Sequence, residues 1–185
     1  GLIPFEESLQ QKLNLIRPSK TELIDLGNLY ISNLTPGVKN LIHILKSLNK
    51  KIIIITGNFH PAVSVLAKHL EIKRFISNKI IFDNNGNYRS LDPHSPLIKP
   101  GAKGHALSQI KAGKYQLAFI GDGATDLEAK DAVDLFIGYG GVIKRDIVAQ
   151  NAQVFVDSPS LLSVLPYLLT SQEISHLHYL KPVLH

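Results

Sequence analysis

Short, continuous runs of apolar residues recur along the chain and are separated by segments with helical periodicity. The run "KIIIIT" (51–56) is rich in β-branched residues, and similar runs follow at 116–121, 135–139 and 153–156. Such runs are typical of strands that are covered on both faces, as in a parallel sheet. Strands that alternate with helices form βαβ units with right-handed crossovers. The pattern therefore predicts an α/β fold with a parallel sheet.

Helix signals dominate the beginning of the chain. Phe5, Leu9, Leu13 and Ile16 recur at helical spacing and predict one apolar face. In the next segment, Ser19 and Glu22 have the spacing of a capping box. Further along the chain, Thr35 and Ser158 are the residues that we expect to cap two later helices.

The change from helices alone to alternating strands and helices lies near Thr35. We therefore expect residues 1–34 to form part of a helical cap and residues 35–170 to form the α/β core. Within the core, "KIIFDNNGNYRSL" (79–91) predicts a β-hairpin with Asn-Gly in its turn. Residues 171–185 are expected to be a C-terminal tail.

Composition narrows the class of protein. The chain has 185 residues, of which 44% are hydrophobic, and contains no cysteine. No apolar run reaches the roughly 18 residues of a membrane span, and no signal peptide is evident, so we expect a cytoplasmic protein that does not bind membranes. The net charge is +5, but the basic residues are scattered without interleaved aromatic residues. We therefore expect no binding to nucleic acid.

Polar residues and glycines collect where the predicted strands end, which is where open parallel sheets bind ligands. Lys103 begins the helix before the second of these strands. The residues that follow the strands are Thr56, Gly57, Asn58, Asp122, Gly123, Thr125, Asp126, Gly140 and Gly141.

These residue types suit a phosphate group and Mg²⁺ together. Asp122 and Asp126 offer the carboxylates that Mg²⁺ prefers. Thr56 and Lys103 suit the oxygens of an anion. Taken alone, Asp122 is explained as a turn former, Thr56 as a strand end and Lys103 as a surface lysine. Their joint occurrence at strand ends favours the phosphate-plus-magnesium interpretation.

Three segments in this order resemble motifs of the haloacid dehalogenase superfamily, and in particular of its phosphoserine phosphatases. They are "IITGNF", "KPGAKGHAL" and "FIGDGATDLEAKDAVDLFIGYGG". The resemblance extends over roughly residues 1 to 165. It implies a Rossmann-like three-layer parallel sheet with a partial helical cap and a β-hairpin. It also implies hydrolysis of a phosphomonoester through an aspartyl-phosphate, with Mg²⁺ as cofactor and a small phosphorylated metabolite as substrate.

The resemblance also implies roles for single residues. Thr56 and the Gly57 N–H would bind the phosphoryl group, and Lys103 would neutralise its charge. Asp122 would ligate Mg²⁺, and Asp126 would hold the water shell of the metal or Lys103. The substrate side would be lined by Asn58, Thr125, Lys12 and Phe5.

Three departures from the family pattern stand out. The Asp-x-Asp-x-Thr motif that carries the nucleophile is absent from the 185 residues, and we expect it in an N-terminal segment before Gly1. In the family this motif ends a strand that lies in mid-sheet, between the strands that correspond to 51–56 and 116–121. Without it we expect the chain to fold poorly. Lys12 stands where an arginine is usual, and Asn58 stands where a second glycine is commoner.

Two alternatives remain open at this point. A phosphotransferase would use the same site residues but would pass the phosphoryl group to a hydroxyl other than water. A catalytically inactive phosphate-binding domain would account for the absent nucleophile. A homodimer is also left open.

Overall fold

The computed structural model describes residues 5–111 and 115–180, with the backbone alone for residue 5 and residues 176–180. The chain divides into two compact units. The described residues of the first unit are 5–34 and 52–111, and those of the second are 35–51 and 115–180. The predicted division into cap, core and tail stays a prediction.

The helices of the described residues are α1 Phe5–Ile16, α2 Lys20–Ser32, α3 Val38–Ser47, α4 His60–His69, α5 Ala102–Lys111, α6 Ala124–Leu127, α7 Asp146–Asn151 and α8 Ser171–Leu180, with 3₁₀ helices at Lys130–Ala132 and Leu161–Leu168. The strands are β1 Ile53–Phe59, β2 Arg74–Asn78, β3 Ile80–Phe82, β4 Tyr88–Leu91, β5 Ala118–Gly121, β6 Leu135–Tyr139 and β7 Val154–Val156. None of the helices in these two ranges has the length and apolar character needed to cross a membrane.

The first unit combines a parallel strand pair with the predicted hairpin. Strand β1 pairs with β2 in parallel, and β3 pairs with β4 antiparallel. Helix α1 packs its buried Leu13 against the hairpin, whereas Ile16 is 72% exposed and does not share the apolar face that we predicted for it. One buried hydrophobic cluster of this unit consists of Leu13, Leu23, Ile80, Tyr88, Leu91 and Ile98.

Two helix starts in the chain were predicted with different success. The capping box before α2 is confirmed: the Glu22 N–H donates to Ser19 Oγ at 3.2 Å and the Ser19 N–H donates to Glu22 Oε2 at 2.7 Å. Thr35, in contrast, does not cap α3, which begins at Val38 after Gly37 in the left-handed region at φ +80°. The Thr35 carbonyl instead accepts the Val38 N–H at 3.2 Å.

The second unit contains a parallel sheet in the order β5-β6-β7. The β5 and β6 strands are in register from Ala118↔Leu135 to Gly121↔Gly138. The segment after β7 is a 3₁₀ helix, not the α-helix that we expected, and its N-cap is Ser160 without a side-chain hydrogen bond, so the predicted cap at Ser158 is wrong. Pro166 lies inside this segment, and in an α-helix its ring would clash with the carbonyl four residues earlier, which disfavours the expected helix. One buried hydrophobic cluster of the second unit consists of Leu41, Ile137, Tyr139, Val156 and Val164. The predicted α/β class with parallel strands is confirmed.

Candidate active site

The carboxyl end of β1 carries the first group of predicted site residues. Strand β1 does not end at Thr56 but continues to Phe59, with an irregularity in between. Thr56 pairs with Ser77 and Phe59 pairs with the next residue, Asn78, so two residues of β1 have no partner position. Those two residues are Gly57 and Asn58, and the Asn58 N–H donates to Thr56 Oγ1 at 3.2 Å. The irregularity therefore brings Thr56, Gly57 and Asn58 together in one tight segment.

Asn78 holds this segment in place, and the sequence reasoning did not identify it. It is fully buried, its Nδ2 donates to the Gly57 carbonyl at 2.9 Å, and its Oδ1 accepts the Leu97 N–H at 2.9 Å. A buried amide with both ends bonded fixes the backbone on either side of it. An asparagine directly after the segment "RFIS", which contains the apolar pair Phe75-Ile76, was the available signal.

Lys103 is the second residue of α5 and is half-buried. A cation in the first turn of a helix opposes the positive end of the helix dipole. An anion at this position would interact favourably with both the lysine and the helix. The surroundings of Lys103 are therefore compatible with the phosphate role that was predicted for it.

Two further predicted residues lie in α1. Lys12 is exposed on this helix, next to the buried Leu13. The Phe5 side chain, which was also predicted to line the substrate side, lies outside the described residues.

The second unit holds the acidic pair. Asp122 directly follows β5, and Asp126 is the third residue of α6. The Asp126 carboxylate is buried and turns back toward the strand, where its Oδ2 accepts the N–H groups of Asp122 at 3.2 Å and Gly123 at 3.0 Å. Gly121 permits this arrangement, because a Cβ at this position would lie 2.6 Å from Asp126 Cγ. Asp126 thus fixes the turn on which Asp122 stands.

Two predicted site residues of this segment, Asp122 and Thr125, are exposed. Thr125 is exposed on α6. The side chain of Asp122 is 51% exposed. Asp122, the predicted metal ligand, is therefore accessible, whereas the Asp126 carboxylate binds backbone N–H groups.

Arg145 is the partner of Asp122 that sequence reasoning missed. Its Nη1 donates to the Asp122 carbonyl at 2.9 Å and forms an ion pair with the Asp122 carboxylate. Arg145 directly precedes α7, 23 residues after Asp122. The only signal was a basic pair, Lys144-Arg145, shortly after the glycines that follow β6.

The donor set of the acidic pair fits Mg²⁺ as one part of a site. Within residues 5–111 and 115–180 there is no cluster of three or more His, Cys, Asp or Glu side chains that could hold a metal. Mg²⁺ does not need one, because it usually binds through one or two carboxylates together with waters and substrate phosphate. Asp122 would supply an accessible carboxylate, and Asp126 would keep it in place.

Comparison with known proteins agrees with this reading. Residues 8–133 match the family model described as haloacid dehalogenase-like hydrolase. The chloroplastic phosphoserine phosphatase of Arabidopsis thaliana is 37% identical over 158 residues, which are 82% of this chain and 54% of the relative. The phosphoserine phosphatase of Bos taurus is 34% identical over 170 residues, or 89% of this chain and 76% of the relative. The chain thus spans about half of the first relative and three quarters of the second.

Solved structures show the same fold. A phosphoserine phosphohydrolase-like protein from Francisella tularensis superposes with a TM-score of 0.75 at 26% identity, covering 91% of this chain and 78% of that one. A phosphoserine phosphatase in apo form gives a TM-score of 0.74 at 23% identity, covering 88% and 80%. The chain belongs to the haloacid dehalogenase-like hydrolases.

Proposed function

We propose that the protein is a Mg²⁺-dependent phosphoserine phosphatase, which hydrolyses O-phospho-L-serine to serine and phosphate. The observation that carries this proposal is the turn after β5, in which buried Asp126 holds the backbone of Asp122 and leaves the Asp122 carboxylate accessible. The names of the relatives in Arabidopsis thaliana and Bos taurus support the choice of substrate.

The proposed roles follow from the chemistry of each group. The Thr56 hydroxyl and the Gly57 N–H donate to the phosphoryl oxygens, and Lys103 balances their negative charge. Asp122 would ligate Mg²⁺ and Asp126 would position it. When bound, the metal would polarise the phosphoryl group and stabilise developing charge. Asn58 and Thr125 are proposed to lie on the substrate side.

The reaction that we propose passes through an aspartyl-phosphate. A carboxylate oxygen attacks phosphorus, and the P–O bond to the serine oxygen breaks as that oxygen takes a proton from the second aspartic acid of the motif. Water then attacks the acyl phosphate, which releases inorganic phosphate and regenerates the carboxylate. The attacking carboxylate belongs to an Asp-x-Asp-x-Thr motif, which the 185 residues do not contain. Activity of the whole protein therefore depends on a source for that motif.

Lys12 is proposed to bind the carboxylate of the substrate, together with the apolar Phe5. A lysine keeps the positive charge of an arginine but lacks its two-pronged hydrogen-bonding geometry. We expect Lys12→Ala to weaken selectivity among phosphorylated amino acids. Unchanged selectivity in competition assays would remove Lys12 from the site.

The experiment that tests the function is phosphate release by the intact protein from a panel of phosphate esters, with and without Mg²⁺. Asp122→Asn should abolish metal-dependent turnover. Asp131→Asn is the matched control, since Asp131 is an exposed carboxylate in the 3₁₀ helix of the same unit. Metal-dependent turnover that survives in Asp122→Asn would overturn the metal assignment.

The two alternatives give other results in the same assay. Transfer of phosphate to an added alcohol, in preference to water, would indicate a phosphotransferase. Phosphate binding without turnover of any ester would indicate a catalytically inactive phosphate-binding domain, which the absent Asp-x-Asp-x-Thr motif favours.

The proposal also includes the binding partners of the protein and its location in the cell. The partner is a small phosphorylated metabolite, with no role for nucleic acid or membranes, and a homodimer is left open. A cytoplasmic location rests on the absence of cysteine, which is compatible with a reducing compartment. The relative in Arabidopsis thaliana is chloroplastic, so fractionation of the source cells is the direct test.

A further inference from the structure

Ser77 is a buried hydroxyl without a partner. It is the fourth residue of β2, and 5% of its surface is exposed. Across the described residues, the buried side-chain atoms that lack a hydrogen-bond partner are Ser77 Oγ and Tyr139 Oη. Such a group destabilises the folded protein, because it has lost its hydrogen bonds to water and gained none. An unsatisfied buried hydroxyl therefore calls for an explanation.

The position of Ser77 supplies one. In the parallel pair of β1 and β2, Ser77 is the register partner of Thr56. Paired residues on neighbouring strands point to the same face, and the strands are about 4.8 Å apart. The unsatisfied hydroxyl therefore lies beside the threonine for which we propose contact with the phosphoryl group.

The Thr56 hydroxyl has one acceptor position in use. A hydroxyl oxygen has two lone pairs and one proton. In Thr56 one lone pair accepts the Asn58 N–H at 3.2 Å. As long as the second lone pair has no fixed donor, rotation about the C–O bond can direct the proton of Thr56 away from a ligand.

We propose that Ser77 is a positioning residue that donates to the second lone pair of Thr56 Oγ1 when an anion is bound, an inference that rests on the proposed function. With both lone pairs occupied, the proton of Thr56 has one direction left, which is toward the oxygen of the ligand. The bond would form through a change of side-chain rotamer at Ser77, with the Asn58 N–H still bonded to Thr56 Oγ1. Ser77 acts through Thr56 and does not touch the substrate itself.

The first test measures binding of inorganic phosphate by the full chain in the presence of Mg²⁺, using calorimetry, together with the melting temperature. Ser77→Ala should bind phosphate about threefold to tenfold more weakly, the worth of one hydrogen bond. Its melting temperature should be equal to or above that of the unsubstituted protein, because an unsatisfied buried hydroxyl has been removed. Loss of binding without loss of stability separates positioning from a structural role.

Tyr139→Phe is the matched control. It removes the other buried hydroxyl without a partner, which lies in the core of the second unit. It should likewise preserve or raise the melting temperature, but it should leave phosphate affinity unchanged. Equal phosphate affinity in Ser77→Ala, Tyr139→Phe and the unsubstituted protein would overturn the proposal.

A double-mutant cycle with Thr56→Val tests whether Ser77 acts through Thr56. If it does, Ser77→Ala weakens phosphate binding only when Thr56 is present, and the two effects are not additive. Full additivity would overturn the proposed route.

Phosphoserine hydrolysis by the unsubstituted protein separates failure of the proposed role of Ser77 from failure of the proposed function. If hydrolysis is normal and Ser77→Ala behaves like the unsubstituted protein, the role of Ser77 is wrong and the proposed function stands. If the unsubstituted protein neither binds phosphate nor hydrolyses the ester, both fail.

Discussion

Arg145 and a metal ion would compete for the same carboxylate, that of Asp122. In the structure, Arg145 pairs with this carboxylate and also donates to the Asp122 carbonyl. The arginine side chain is 39% exposed and that of the aspartate 51%, so water screens their attraction. The ion pair therefore holds the Asp122 carboxylate only weakly. A divalent cation can replace Arg145 as the partner of this carboxylate.

This competition predicts the effect of Arg145→Gln on metal binding. Removing the guanidinium should lower the Mg²⁺ concentration that gives half-maximal binding by about twofold to fivefold, the worth of a partly exposed ion pair. Titration of Mg²⁺, followed by the shift in melting temperature, measures this concentration. Because the readout does not require turnover, it applies whatever the source of the nucleophile.

Lys144→Gln provides the comparison for Arg145→Gln. It removes the same charge at the preceding position, but Lys144 pairs with Asp157 at 2.6 Å and not with Asp122. It should leave the Mg²⁺ midpoint within twofold of the starting value, as a generic change in net charge would. If both variants shift the midpoint equally, Arg145 has no specific hold on Asp122.

Sequence reasoning identified residues by the strand that precedes them, and this explains which ones it missed. Asp122 and Asp126 lie next to β5 in the sequence, and the structure places both at its carboxyl end. Arg145 reaches Asp122 from the position before α7, and Ser77 is the register partner of Thr56 in the neighbouring strand. No local pattern specifies either relation. The inward turn of Asp126 was also not predictable, since it depends on the space left by Gly121.

At the scale of elements, the start of α3 depends on one glycine. Gly37 has φ +80°, and a Cβ at this position would overlap Ser160 Oγ and lie 3.0 Å from Leu162 Cβ. The left-handed conformation costs other residues roughly 1–2 kcal/mol. A side chain at position 37 would therefore add steric overlap to backbone strain, and the carbonyl of Pro36 next to it accepts the Leu161 N–H at 2.8 Å.

We expect Gly37→Ala to lower the free energy of unfolding by about 2–4 kcal/mol, from strain and overpacking together. Denaturant titration gives this value. Gly101→Ala is the control, because Gly101 has φ +71° but no described atom lies within 4 Å of its added Cβ. It should lose only the backbone contribution of about 1–2 kcal/mol. Equal losses in both variants would show that the contact with Ser160 and Leu162 does not matter.

The capping box of α2 predicts a pH dependence. Hydrogen bonds from the Ser19 backbone N–H and, to a smaller degree, its hydroxyl lower the pKa of Glu22. A carboxylate whose pKa is lower in the folded state stabilises the protein above its unfolded pKa, and this contribution is lost as the pH falls through the folded value. The start of α2 should therefore weaken in acid.

Melting temperatures measured from about pH 6 down to about pH 3 test this contribution. Glu22→Gln keeps a capping-box residue at the position but has no titrating carboxyl. The unsubstituted protein should lose more stability over this range than Glu22→Gln does. Parallel pH profiles would mean that Glu22 makes no net contribution.

The sequence predicted element types well and element ends less well. The hairpin at 79–91 is confirmed because its Asn-Gly turn is a local signal, and Gly86 has the expected positive φ of +83°. The end of β1 was wrong by three residues because its continuation depends on Asn78, a side chain from the neighbouring strand. Elements with local turn or cap chemistry were predictable, and elements set by a neighbour were not.

At the scale of the whole molecule, β1 and β5 are among the described strands that have an open edge. In the part of the chain that the structure describes, β1 pairs only with β2, and β5 pairs only with β6. An open edge leaves a row of backbone N–H and C=O groups available for another strand. The family resemblance predicts a strand at these positions, and it is the strand that ends in Asp-x-Asp-x-Thr.

The last prediction is that a strand of this kind restores both stability and chemistry, and that the two effects can be separated. Chains that begin with an apolar strand ending in Asp-x-Asp-x-Thr should melt at a higher temperature than the 185 residues alone, because the added strand pairs with the open edges. They should also release phosphate from phosphoserine in the presence of Mg²⁺.

The same extension ending in Asn-x-Asn-x-Thr should raise the melting temperature equally but give no turnover, since an amide is not a nucleophile toward phosphorus. If neither extension changes the melting temperature, the open edges are not the binding site of that strand. If the 185 residues alone turn over phosphoserine as fast as the extended chain, the nucleophile lies within them and the proposed aspartyl-phosphate route is wrong.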